Sequence, residues 1–128
     1  MIEFAVETKG EESLVEITDR VVDAVSESRV KDGVCIVQSM HTTAAVTVNE
    51  NADPDVRADI LASLDDIVAE LGFRHAEGNS RAHVKTSLIG CSETIIIADG
   101  RLQLGRWQGI YFCEFDGPRH RRVKVIIL

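Results

Sequence analysis

Four histidines, His41, His75, His83 and His120, are the residues best suited to chemistry near neutral pH. An imidazole there can give or take a proton, and in its neutral form it can ligate a metal. His41 ends an apolar run and is followed by Thr42-Thr43, whereas His75 and His83 lie eight residues apart. None has the four-residue spacing by which one helix presents two zinc ligands, so a shared ion would require separate elements to converge. By residue type alone, each reads first as a hydrogen-bonded or surface histidine.

The segment Asn49-Glu50-Asn51-Ala52-Asp53-Pro54-Asp55 gathers three carboxylates and two amides. Glu50 is placed to act as a general base or to orient a histidine. Asp53, directly before a proline, is more simply a helix cap. The single tryptophan lies in Gly105-Arg106-Trp107-Gln108-Gly109, either as a core anchor or as a stacking platform. Its flanking glycines would admit close approach by a ligand or another subunit. Arg119, His120, Arg121, Arg122 and Lys124 form the one basic cluster, which reads as a solvated strand face or as a site for one or two phosphate groups. In an extended strand Arg119 and Arg121 share a face, and His120 and Arg122 share the other. Arg119 is expected to reach a pocket with its planar fork. Arg121 or Arg122 would then pair with a carboxylate such as Glu114. No phosphate-cradling P-loop, dinucleotide fingerprint or nucleophile elbow is present.

The elements that must position these residues follow from periodicity. Ile2, Phe4 and Val6 alternate as in a strand, and residues 14–17 resume an extended pattern after a turn at Lys9-Gly10-Glu11. Thr18 reads as the cap of a helix bearing Val21, Val22 and Val25 inward. Strands are predicted at 34–40 and 43–48. Asp53-Pro54 opens a second helix with Val56, Ile60, Leu64, Ile67, Val68 and Leu71 in register, closed by Gly72. A third, capped by Asn79, would bury Val84, Leu88 and Ile89 and end at Gly90. From residue 93 onward the chain is β, with a hairpin turn at Asp99-Gly100 and a long final hairpin turning at Asp116-Gly117-Pro118. Strands at both ends with helices between predict an α+β domain, and an apolar final hairpin would need its edges covered, as in an oligomer.

The 128 residues suit one domain, residues 1–128, and 45% apolar with 27% charged composition is that of a globular protein. No apolar run approaches the roughly 20 residues of a membrane helix, and the alternating N-terminus lacks the form of a secretion signal. A net charge of -7 argues against general nucleic-acid binding. Cys35, Cys91 and Cys113 are odd in number and widely spaced, which fits buried thiols in a reducing cytoplasm better than a disulfide framework.

Several motifs occur together in order: His41-Thr42-Thr43-Ala44-Ala45 with Asn49-Glu50 and Asp53; His75 with Asn79 and Ala82-His83; Gly100-Arg101-Leu102, Leu104-Gly105 and Trp107-Gln108-Gly109-Ile110; then Glu114 and the closing Arg119 to Arg122. This series resembles the YjbQ family, also named secondary thiamine-phosphate synthase, from about residue 34 to the C-terminus. The resemblance implies a cytoplasmic homotrimer, a mixed or antiparallel β-sandwich with two to three helices, and a histidine-rich pocket near subunit boundaries. It implies His41, His75 and His83 as metal ligands, with Zn²⁺ suited to three imidazoles and Mg²⁺ if a diphosphate is the substrate. It further implies catalytic roles for His41, Glu50 and His83, and substrate contacts from Asn49, Asp53, Asn79, Trp107, Gln108 and Arg119. The implied activity is thiamine-phosphate synthesis. A metal-dependent hydrolase of a small phosphorylated metabolite and a non-catalytic trimeric binding module use the same residues. Arg106 stands where the family commonly has Thr, and it bears on specificity only if it faces the pocket.

Overall fold

Alternation along the first strand sends Val6 into the core and Glu3 and Glu7 to solvent, and the same period-two logic builds eight strands. The structure, a computed structural model, describes residues 1–128. The elements run β1 (Ile2–Glu7), β2 (Ser13–Glu16), α1 (Thr18–Ser28), β3 (Gly33–Ser39), β4 (Ala44–Glu50), α2 (Pro54–Ile67), α3 (Ser80–Ile89), β5 (Ser92–Ala98), β6 (Arg101–Leu102), β7 (Gln108–Glu114) and β8 (His120–Ile127). One sheet has the order β1-β8-β3-β5-β6 and the other β2-β7-β4. Every pairing is antiparallel. The α+β sandwich expected from the sequence is therefore present, with three helices. No helix is long and apolar enough to cross a membrane.

The main core lies between the sheets. Val37, Ile95, Val123 and Val125 of the larger sheet meet Val46, Ile110 and Phe112 of the smaller, and α1 adds Val21, Ala24 and Val25. The opposite face of the smaller sheet is covered by helices, where Leu14, Ala45, Tyr111 and Cys113 pack on Leu64 of α2 and Ala82 of α3. Burying both faces explains why β7 reads as an unbroken apolar run from Ile110 to Cys113.

Four local expectations are corrected. The closing segment is not a hairpin within one sheet, because β7 pairs with β2 and β4 while β8 pairs with β1 and β3. The Asp116-Gly117-Pro118 turn carries the chain from one layer to the other, so β7 has no free edge to bury against a second subunit. Thr18 is not a cap: its hydroxyl donates to Glu16 and accepts the Ile110 N–H at 2.9 Å, tying α1 to β7. Helix α2 ends at Ile67, before Gly72, and leaves Ile67 and Leu71 exposed. Helix α3 is rotated from the expected register, with Val84 and Leu88 outward and Ala82, Lys85 and Thr86 buried. The reason is Lys85, whose Nζ donates to Glu12 at 2.8 Å and to Asp65, joining α3 to α2 and to the β1–β2 connection. A buried ammonium ion needs such partners, and supplying them fixes the helix face.

The outer face of the larger sheet keeps an apolar stripe. Ile36 lies opposite Ile126 and Val34 opposite Ile96 in the pairing register, and Ile96 and Leu128 are 64% and 63% exposed.

Candidate functional site

The loop between β3 and β4 is the first wall of a cavity of about 380 Å³. Ser39 shapes that loop by donating to the Ala44 carbonyl at 2.8 Å and accepting the His41 N–H at 3.2 Å. The β3–β4 loop contributes His41, Thr42 and Thr43, the segment entering α3 contributes His75, Glu77 and Asn79, α3 contributes His83, the β7–β8 crossover contributes Asp116 and Arg119, and β8 contributes Arg121. Met40 is the one hydrophobic residue of the lining. Three sequence-distant histidines thus meet in one polar cavity, together with Asn79 and Arg119. His120 lies elsewhere, exposed, with Nδ1 2.9 Å from Glu7.

The imidazole of His41 stands edge-on to Phe112, with ring centroids 6.4 Å apart, and its Nε2 accepts the backbone N–H of Arg122 at 2.9 Å. Burial, and next the positive charge of Arg121, hold its pKa below the ordinary imidazole value. The neutral ring therefore carries its proton on Nδ1. His75 and His83 face each other edge to face, with centroids 5.5 Å apart. Asn79 donates through Nδ2 to Glu77 and to Asp116, both at 2.8 Å, and its enclosed Oδ1 has no partner.

Beneath the cavity lies a buried ion pair. Glu114, 0% exposed, accepts from Thr8 at 2.6 Å, from Arg121 through Nε at 2.8 Å and Nη2, and from the Asp116 N–H at 3.1 Å. Burial alone would raise the Glu114 pKa, but the hydrogen bonds from Arg121, Thr8 and the Asp116 amide outweigh it and bring it below the usual carboxylate value. Arg121 also donates to the Thr43 hydroxyl at 2.8 Å. Arg119 is turned onto its own loop, with Nε on the Asp116 carbonyl at 2.8 Å and Nη2 on the Asp116 carboxylate at 3.0 Å. Arg122 pairs with Glu3 at the surface.

The other residues singled out from the sequence gather at the far end of β4. Six residue steps separate Ala44 from Glu50 in that strand, about 20 Å at strand rise. The Glu50 carbonyl accepts the Tyr111 hydroxyl at 3.0 Å, and Asn49 bonds the following N–H at 2.8 Å. Asp53 caps α2 through the Asp55 N–H at 2.9 Å. Gln108 closes its turn by accepting the Gly105 N–H at 2.7 Å. It also lines a second cleft of about 260 Å³ with Val48 and Glu93. Trp107 is 53% exposed and stacks under the Arg106 guanidinium at 4.7 Å, outside the histidine cavity. Sequence reasoning passed over Thr42, Thr43, Glu77, Asp116 and Arg121 as lining residues. The strand alternation linking Arg121 to Arg119, and the adjacency of Thr42-Thr43 to His41, were the signals available.

The donor set does not fit a three-histidine metal centre as it stands. A neutral imidazole has one ring lone pair, and that of His41 is held by the Arg122 N–H. No three His, Cys, Asp or Glu side chains converge with metal-binding geometry.

Fold and site together define a small antiparallel α+β sandwich that carries a polar, histidine-lined cavity where the β3–β4 loop, α3 and the sheet-to-sheet crossover meet. The chain belongs to the YjbQ family, described as UPF0047 protein YjbQ-like, which matches residues 2–128. The UPF0047 protein MJ1081 of Methanocaldococcus jannaschii is 50% identical over 129 residues, covering 100% of this chain and 94% of its own length. YugU of Bacillus subtilis is 46% identical, covering 91% and 89%. A crystal structure from Clostridium acetobutylicum, of an uncharacterized conserved protein of the YjbQ/UPF0047 family, superposes with a TM-score of 0.97 at 53% identity over 100% of both chains.

Proposed function

We propose that this chain is an acid–base enzyme acting on a small, polar, anion-bearing molecule in the cavity of His41, His75 and His83. The observation that carries this reading is the convergence of histidines from three separate segments with Arg119 and Arg121 around about 380 Å³, a volume of metabolite scale. His75 and His83 would exchange a proton with the ligand, while neutral His41 offers its Nδ1–H as a donor.

The reaction to test first is thiamine-phosphate synthesis. The nitrogen of the thiazole phosphate attacks the methylene carbon of the pyrimidine methyl diphosphate, the carbon–oxygen bond breaks, and diphosphate leaves with its electron pair and takes a proton from His83. A guanidinium of the lining would meet the charge that develops there. Purified protein is incubated with both substrates, with and without Mg²⁺, and thiamine phosphate is followed by chromatography. Formation that falls by about 100-fold in His83→Ala supports the reading, on the scale of a lost acid–base group. No product above the protein-free control removes this reaction and leaves hydrolysis of a small phosphorylated metabolite, or ligand holding without chemistry. His41 would join the ligands of a divalent ion in either enzyme reading only if it gave up the Arg122 amide.

We further propose a cytoplasmic homotrimer. The three free cysteines suit a reducing compartment. The exposed stripe of Ile96, Ile126 and Leu128 supports assembly. So does the place of Glu50, Trp107 and Gln108 at the far end of β4, about 20 Å of strand from Ala44, because a neighbouring copy could bring that end to a cavity.

A further inference from the structure

We propose that Arg121, through its Nη1 edge, is the residue that grips the anionic oxygen of the ligand in the histidine cavity, and that Arg119 serves the turn instead. The proposal rests on the reading that this cavity binds an anion-bearing molecule.

The guanidinium has five N–H donors in one plane. In Arg121 three are committed: Nε to Glu114, and Nη2 to both Glu114 and the Thr43 hydroxyl. Clamping three donors of a planar group fixes the direction of the other two, which sit on Nη1. That atom makes no hydrogen bond within the chain, and it is not among the fully enclosed atoms left without a partner. Arg121 is only 4% exposed and lines the cavity. A donor pair without a partner in the chain, on a buried cation that lines a cavity, calls for an oxygen to accept it.

Arg119 is built differently. Its side chain is 49% exposed, and it folds back on Asp116 three residues away. Its free donors face solvent, so a ligand oxygen there would compete with water in a screened setting. At Arg121 the fork is held in advance by Glu114 and Thr43, and no side-chain freedom is lost on binding.

The ligand class follows from the charges. The Arg119–Asp116 and Arg121–Glu114 pairs are each neutral overall, and Glu77 adds a negative charge to the lining. Such a site suits one singly charged oxyanion group at Arg121, a carboxylate, a phosphate ester monoanion or one phosphoryl group of a larger ligand.

The experiment is arginine guanidinium NMR on the unaltered protein, titrated with inorganic phosphate in one arm and acetate in the other. Saturable movement of the Arg121 Nε signal in either arm, with the Arg119 signal still, is the expected result, and the responding arm identifies the oxyanion. Movement of Arg119 alone overturns the assignment while keeping the anion-binding reading. No saturable response in either arm overturns both. As a second measurement, Arg121→Lys should weaken the bound anion by about tenfold or more, because the charge survives and the fork does not. A loss in Arg119→Lys that equals or exceeds it refutes the proposal.

Discussion

The Nε2 atom of His41 accepts the backbone N–H of Arg122 at 2.9 Å, across 81 residues of chain. This contact joins the β3–β4 loop to the first turn of β8, so the cavity wall is set by sheet assembly. It also fixes the tautomer of the imidazole, since a ring accepting at Nε2 is neutral only with its proton on Nδ1.

Protonation of His41 must break that bond, and burial together with Arg121 already depresses its pKa. The folded chain therefore binds fewer protons at this site than the unfolded chain. The stabilisation is full above the ordinary imidazole value of about 6.5 and is lost as pH falls through the folded-state value. Denaturant midpoints should drop as pH falls below about 6.5, and drop less in His41→Gln, which keeps an acceptor but cannot take a proton. Equal drops in both proteins would place the acid sensitivity at other groups.

Zinc affinity should be insensitive to His41→Ala, because the lone pair of that ring is engaged by Arg122. Competition with a chromophoric chelator measures it. A loss of about tenfold or more, the scale of disturbing a metal site, would restore the three-histidine centre.

Glu114→Ala should destabilise the fold by about 3–5 kcal/mol, since it strands the Arg121 guanidinium without its countercharge. Glu114→Gln should lose less, because the amide oxygen still accepts from Arg121 or Thr8. Urea unfolding of the two variants gives the comparison. Equal stability of Glu114→Ala and wild type would mean that water enters beneath the cavity.

Ile96→Lys should dissociate the proposed trimer while leaving the fold intact, because Ile96 is 64% exposed and belongs to neither core cluster. Light scattering at micromolar concentration, with circular dichroism as a fold control, reads both quantities. A wild-type monomer would end the trimer proposal, and an unaltered trimer in Ile96→Lys would move the interface off this face.

The sequence by itself determined most of the elements and several residues of the candidate cavity. Period-two alternation marked the strands, Asp53-Pro54 started α2 where it starts, and the family motifs singled out His41, His75, His83, Asn79 and Arg119, which meet in one cavity. These readings succeed because capping, turn chemistry and periodicity act over a few residues. Only the tertiary structure decided that β7 and β8 enter different sheets, that Lys85 turns α3 so that Val84 and Leu88 face outward, and that Glu50 and Trp107 lie away from the histidines. It also decided between the arginines. Arg119 precedes β8 and Arg121 lies within it, and the countercharge of each comes from the β7 end and the crossover, Asp116 for the first and Glu114 for the second. Which guanidinium keeps a free edge depends on how two sheets stack, and no local pattern in the chain encodes that.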